Sequence, residues 1–208
     1  MKLILSDTDP EVLAAWRAQF LKRPEVAIQE GHLFEASADA FLLPGNSFGF
    51  LDSGLALEAC ERFGWDLQEA IRKVIRSERS GELLVGDAIA VRLPSLPRVV
   101  VYAPAWRTPR KIDGTLNAFL AARGAFLEAA RRADLSIGSI AFPALGVREG
   151  GMDPRISARQ IRYAYEIATG QRGPGDKNLS QQVRRERKLL SIPGADREAE
   201  REEGGEAE

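Results

Sequence analysis

Short apolar runs alternate with helical periodicities along most of this chain. Leu3-Ile4-Leu5 is closed by Ser6-Asp7-Thr8-Asp9-Pro10, which holds plausible helix caps, and Leu13, Trp16, Phe20 and Leu21 then recur at helical spacing. Val26-Ala27-Ile28 reads as a second strand. Ala38-Asp39-Ala40-Phe41-Leu42-Leu43 reads as a third, stopped by Pro44-Gly45. Leu55–Phe63, followed by Leu67, Ile71 and Val74, predicts two successive helices. Ala88–Val91 and Val99–Tyr102 are strand-like runs separated by Pro94 and Pro97, and Leu116–Ala130 is an amphipathic helix. Ile137–Phe142 is a further buried strand, and Ile156–Ala168 a helix with Ile161, Tyr165 and Ala168 on one face. Strands alternating with helices predict an α/β fold: a three-layer α/β/α sandwich with a mixed central sheet covered on both faces.

The carboxyl end breaks the pattern. Val183–Leu190 contains Arg184-Arg185-Glu186-Arg187-Lys188, a locally basic helix or strip. Beyond it, residues 194–208 hold seven acids, two arginines and no large apolar side chain. Such a segment buries too little to offset its ordering entropy, so residues 1–192 are expected to form the folded unit and 193–208 a disordered acidic tail. The tail also distorts the charge balance. Its −5 within a formal total of −1 leaves +4 on residues 1–193, a mildly basic body that suits a small anionic ligand.

Composition removes several chemistries. One cysteine, Cys60, excludes an intramolecular disulfide and any multi-cysteine metal site, and one histidine, His32, excludes a His-based metal cage. No basic excess marks a generic nucleic-acid surface. With no long apolar run and an amino terminus that turns polar early, the expectation is a cytoplasmic protein that engages no membrane.

Three segments stand where strands are expected to open toward helices, the usual place for ligands in such folds. Pro44–Gly54 carries three glycines and Asn46, whose amide either serves a ligand or only satisfies local backbone. Pro143–Gly151, with glycines at 146, 150 and 151, is suited to an anion nest of backbone N–H groups, although it matches neither a P-loop nor a dinucleotide fingerprint. Tyr102-Ala103-Pro104-Ala105-Trp106-Arg107 offers Trp106 or Arg107 for base stacking, or a packed Trp and a surface Arg.

Taken in order, these blocks carry a resemblance. Gly31-His32-Leu33-Phe34 followed by Ala38-Asp39-Ala40-Phe41-Leu42-Leu43-Pro44-Gly45-Asn46-Ser47 resembles the opening of macrodomains. Gly81-Glu82-Leu83-Leu84-Val85-Gly86-Asp87 and Ser139-Ile140-Ala141-Phe142-Pro143-Ala144-Leu145-Gly146 are similar to later segments of the same family. Asn46–Gly54 and Ala158-Arg159-Gln160-Ile161-Arg162 resemble a branch of that family associated with phage tail-assembly genes.

The resemblance implies a cleft for ADP-ribose or a related nucleotide diphosphate, with no cofactor. It places adenine near His32 and Leu33. The diphosphate would run across the two glycine-bearing loops (Ser53, Gly54 and Gly146, Val147, Arg148, Glu149, Gly150), with the distal ribose beside Asn46, Phe50 and Asp52. Departures are also visible. His32 replaces the aspartate expected at the adenine, and Leu43 the first asparagine of the family's pair. Ala56 stands at the catalytic aspartate position of the hydrolysing branch. Arg148 suits a phosphate contact, whereas an inward Glu149 would repel one.

Three functions follow. The chain binds the nucleotide; or it hydrolyses ADP-ribose from a modified protein or nucleic acid, with Asn46 positioning the ribose and Asp52 or Glu58 as base; or it keeps the fold for protein interaction in a phage-like assembly.

Overall fold

Strict alternation along the strands sorts the apolar side chains into two cores. Leu3, Leu5, Leu42, Val99, Val101, Ile140 and Phe142 fall on one face of a sheet, while Ile4, Phe41, Leu43, Val100, Tyr102 and Ala141 fall on the other. The computed structural model describes residues 1–172 and 178–192, so the expected tail at 193–208 lies outside the described residues.

The elements run β1 (Lys2–Asp7), α1 (Pro10–Phe20), β2 (Val26–Glu30), β3 (Ala40–Asn46), α2 (Gly54–Phe63), α3 (Asp66–Glu78), β4 (Ile89–Arg92), β5 (Val99–Trp106), α4 (Asn117–Arg131), β6 (Ser139–Phe142), α5 (Pro154–Ala168) and α6 (Leu179–Leu190). The sheet order is β2-β1-β6-β3-β5-β4; all neighbours are parallel except the edge pair β4–β5. Helices α1, α4 and α5 cover the first face and α2 and α3 the second. The expected three-layer sandwich with a mixed sheet is the fold observed.

Two strands are longer than the sequence pattern predicts. β3 runs through Pro44-Gly45 to Asn46, and β5 continues to Trp106, so Tyr102–Trp106 is strand rather than a third loop. Each strand holds a proline where one neighbour has run out. β3 pairs with β6 only at Ala40 and Phe41, well before Pro44. β5 pairs with β4 only as far as Tyr102, before Pro104. A missing N–H costs no ladder bond on an unpaired side, so proline does not end the strand there. Gly45 is required for a different reason: a Cβ there would stand 2.3 Å from the buried Tyr102 hydroxyl.

At the opposite end β3 and β6 are clamped. Asp39 accepts from the Gly138 and Ser139 amides at 3.0 and 2.8 Å and from the Ser139 hydroxyl at 2.8 Å. The pair is therefore fixed where it begins and free to diverge where it ends.

Within the layer formed by α1, α4 and α5, a charge cluster ties α5 to the segment after α1. Glu166 on α5 is almost wholly buried and takes hydrogen bonds from Arg23, Arg162 and Arg172 at 2.8–3.0 Å. Burial pushes its carboxyl up, but the three guanidinium bonds outweigh burial and hold it down at about 2. The block Ala158–Arg162 has a bracing role. Gln160 accepts from the Phe119 amide and donates to the Thr115 and Leu189 carbonyls, and Arg159 reaches the Lys188 carbonyl, seating α6 on α5.

A depressed carboxyl contributes stability above its unfolded value near 4.5 that is lost as the pH falls toward 2. Glu166→Gln is expected to lower unfolding free energy at neutral pH by about 1–3 kcal/mol. It should also flatten the stability profile across that acidic window. Urea titrations at stepped pH measure both, and a variant whose profile parallels the wild type would place the acid sensitivity elsewhere.

Candidate functional site

Neighbouring strands β6 and β3 send the chain to opposite faces of the sheet, β6 into α5 and β3 into α2. Loops leaving in opposite directions open a crevice at the carboxyl ends of those strands. Pro44 and Pro143 stand on its two sides.

The crevice has two halves, of about 660 and 820 Å³ with their open mouths, that share Gly54, Leu55, Pro143 and Arg148. In the first, Asn46, Phe50, Ser53 and Gly54 face the loop Gly146, Val147, Arg148, Glu149, Gly150. The second is lined by His32 and Leu33 with Ser6, Asp7, Thr8 and Glu58. Eleven of the twelve residues expected at a ligand thus line one crevice; Asp52 is exposed and outside its lining.

Several side chains are already occupied. The Asn46 amide donates to the Phe50 carbonyl at 2.7 Å and accepts from the Phe48 and Phe50 amides at 3.0 and 3.3 Å. Its own carbonyl accepts from the Tyr102 hydroxyl at 2.6 Å, and burial pushes that phenol well up. Asn46 therefore shapes the turn at 46–50. One amide hydrogen is left over, since the group carries two. Phe48 and Phe50 lie under Arg107 and Arg72, at 5.1 and 4.2 Å from guanidinium to ring centre. Trp106 is half-buried and lines the first half of the crevice, while Arg107 is exposed and paired with Glu82.

His32 caps a 3-10 turn at Leu33–Glu35 through Nδ1, which accepts from the Phe34 amide at 3.2 Å. Its Nε2 stands 2.9 Å from Glu58. In the neutral tautomer that fits both contacts, Nε2 donates to Glu58 and no acceptor is left for a base. Glu58, itself a residue of α2, is the acceptor this half presents instead.

Arg148 borders both halves of the cleft, but its charge is already paired there. Its guanidinium grips Asp7 at 2.6 and 3.2 Å, and that hydrogen bond raises its pKa further. Asp7 also accepts from the amides of Thr8 and Asp9 at 2.9 and 3.0 Å. The sequence reading treated Ser6–Pro10 only as a helix-capping cluster and missed Asp7. Its signal was position: it ends a parallel strand, where the crevice opens.

Backbone groups make up the rest. Among the described residues, nothing accepts from the amides of Gly54, Leu55 and Ala56 at the start of α2, or from those of residues 146–150. Two runs of unpaired N–H groups therefore border one cleft, an arrangement that attracts anions without lysine or arginine. Among the described residues no group of histidine, cysteine and carboxylate side chains is placed to hold a metal. No helix among them is long and apolar enough to cross a membrane.

Comparison with known proteins gives a consistent picture. The family model described as Macro domain matches residues 44–161. An uncharacterized protein of Aeropyrum pernix is 31% identical over 184 residues, covering 87% of this chain and 90% of its own. Among solved structures, the macrodomain of Thermus aquaticus DarG is 25% identical with a TM-score of 0.52, over 65% of this chain and 87% of its own. A mutant Oceanobacillus iheyensis macrodomain with ADP-ribose is 17% identical with a TM-score of 0.56, over 67% and 74%.

Asn46→Ala removes three side-chain hydrogen bonds from a buried turn. It is expected to cost about 1–3 kcal/mol of stability and to speed amide exchange at Phe48 and Phe50. Hydrogen-exchange NMR on the folded variant reads this directly. Unchanged exchange at both amides would show that the turn does not depend on Asn46.

Proposed function

From the premise that this chain belongs to the Macro domain family, we propose that its cleft binds ADP-ribose or a closely related nucleotide diphosphate. The observation that carries the reading is the pair of unpaired amide runs, Gly54–Ala56 and 146–150, on opposite walls of one crevice. A diphosphate placed between them accepts from both walls, and hydrogen bonds to a charged acceptor are worth about 1.5–3 kcal/mol each. The base then lies in the half with His32, Leu33 and Glu58, and the distal ribose beside Asn46, Phe50 and Trp106. The ADP-ribose held by the Oceanobacillus macrodomain supports this choice of ligand.

Binding is favoured over hydrolysis. Ala56 offers no carboxylate, Asp52 lies outside the lining, and Glu58 is engaged by His32. Kinship with the phage tail-assembly-associated branch belongs to the same proposal. It is supported by the block Asn46–Gly54, which forms one wall of the cleft, and by Ala158–Arg162, which seats α6.

Leu55 occupies the second position of α2, where proline fits a helix but supplies no N–H. Calorimetric titration with ADP-ribose is expected to show Leu55→Pro binding about 10- to 100-fold more weakly than wild type. Leu55→Ala, which keeps the amide, should stay within a few-fold. Absence of heat at millimolar ADP-ribose with the wild-type protein would overturn the reading.

A further inference from the structure

The start of α2 is an unusual helix end. Ser53 stands at the capping position with a hydroxyl well suited to the task, yet it makes no capping hydrogen bond, and the first turn contains no acidic residue. The negative charge that such an end attracts comes instead from across the cleft. The Ser53 hydroxyl donates to Glu149 Oε2 at a long 3.4 Å. The other carboxylate oxygen, Oε1, would lie 2.4 Å from a Cβ at residue 54, so Gly54 leaves the space that this carboxylate fills. Gly54 also has φ +50, a backbone conformation that disfavours side chains there.

Resting on the nucleotide reading above, we propose that Glu149 is a built-in competitor for the ligand's diphosphate. In the ligand-free protein its carboxylate stands beside Gly54 at the amino end of α2 without bonding the free amides there, and it must turn out to solvent before a diphosphate can reach them. The neighbouring residue makes this movement local. Arg148 is anchored to Asp7 by two hydrogen bonds, so the loop backbone is held while the Glu149 side chain, exposed and attached among the described residues only through Ser53, is free to leave. Two anions on one helix end repel, and the free energy of displacing Glu149 is taken from ligand affinity. The device tunes the cleft toward weak, reversible capture. It acts on phosphate-bearing ligands alone, because an uncharged nucleoside does not need those amides.

Titrating wild type, Glu149→Gln and Glu149→Ala with ADP-ribose, adenosine and inorganic pyrophosphate tests the idea. Removing the charge is expected to tighten ADP-ribose and pyrophosphate by roughly 3- to 30-fold and to leave adenosine unchanged. ADP-ribose affinity that stays constant or weakens in both variants would overturn the competitor and leave the nucleotide reading standing. Pyrophosphate gains without ADP-ribose binding in any protein would uphold the competitor and overturn the nucleotide reading. No binding of any of the three compounds overturns both.

Discussion

The divergence of two adjacent parallel strands underlies everything functional in this molecule. β3 and β6 are pinned together at their amino ends by Asp39 and share only two paired positions before they part. From there one chain turns to the α2 side and the other to the α5 side. Pairing ends at Phe41 and Ala141, and the prolines that follow on both sides offer no N–H with which to resume it. Both strands send side chains into both apolar cores, and the helices that follow them pack on opposite faces, so the wedge between them is held open by the packing on each face. Loop glycines and helix starts then fall where polar ligands meet unsatisfied backbone.

Much of this was legible in the chain, and the failures have physical causes. Period-two and helical patterns identified the strands and helices because each face of the sheet has its own apolar layer. The end of β3 was misjudged because proline was taken as a stop, and β5 was ended at Tyr102 because the segment beyond it was read as a loop. Whether proline stops a strand depends on which neighbour is present at that position, a tertiary fact. The residues of the cleft were also readable, since strand ends in a parallel sheet gather at one edge.

What each side chain does there was harder to see. Arg148 looked like a phosphate contact until Asp7 was seen to hold it. His32 stands where the resemblance expects an aspartate at the adenine, but its cap to Phe34 and its contact with Glu58 use both nitrogens. Pairings between residues more than a hundred positions apart, such as Arg148 with Asp7, leave no mark in local pattern. The basic strip at 184–188 belongs to α6, whose seat on α5 combines Gln160 and Arg159 with Arg185, which donates to the Tyr163 hydroxyl.

The phosphate wall of the cleft is written in peptide groups. An amide hydrogen is present whatever residue carries it, proline excepted, so the information resides in loop length and backbone angle more than in side-chain identity. Away from Gly146 and Gly150, where a Cβ has no room, and from the anchored Arg148, a lineage is therefore free to exchange residues of this loop without losing the wall, whereas inserting or deleting a single residue shifts every donor at once. Sequence divergence in these loops is accordingly a poor measure of lost recognition. Their spacing between β6 and α5 is the better record.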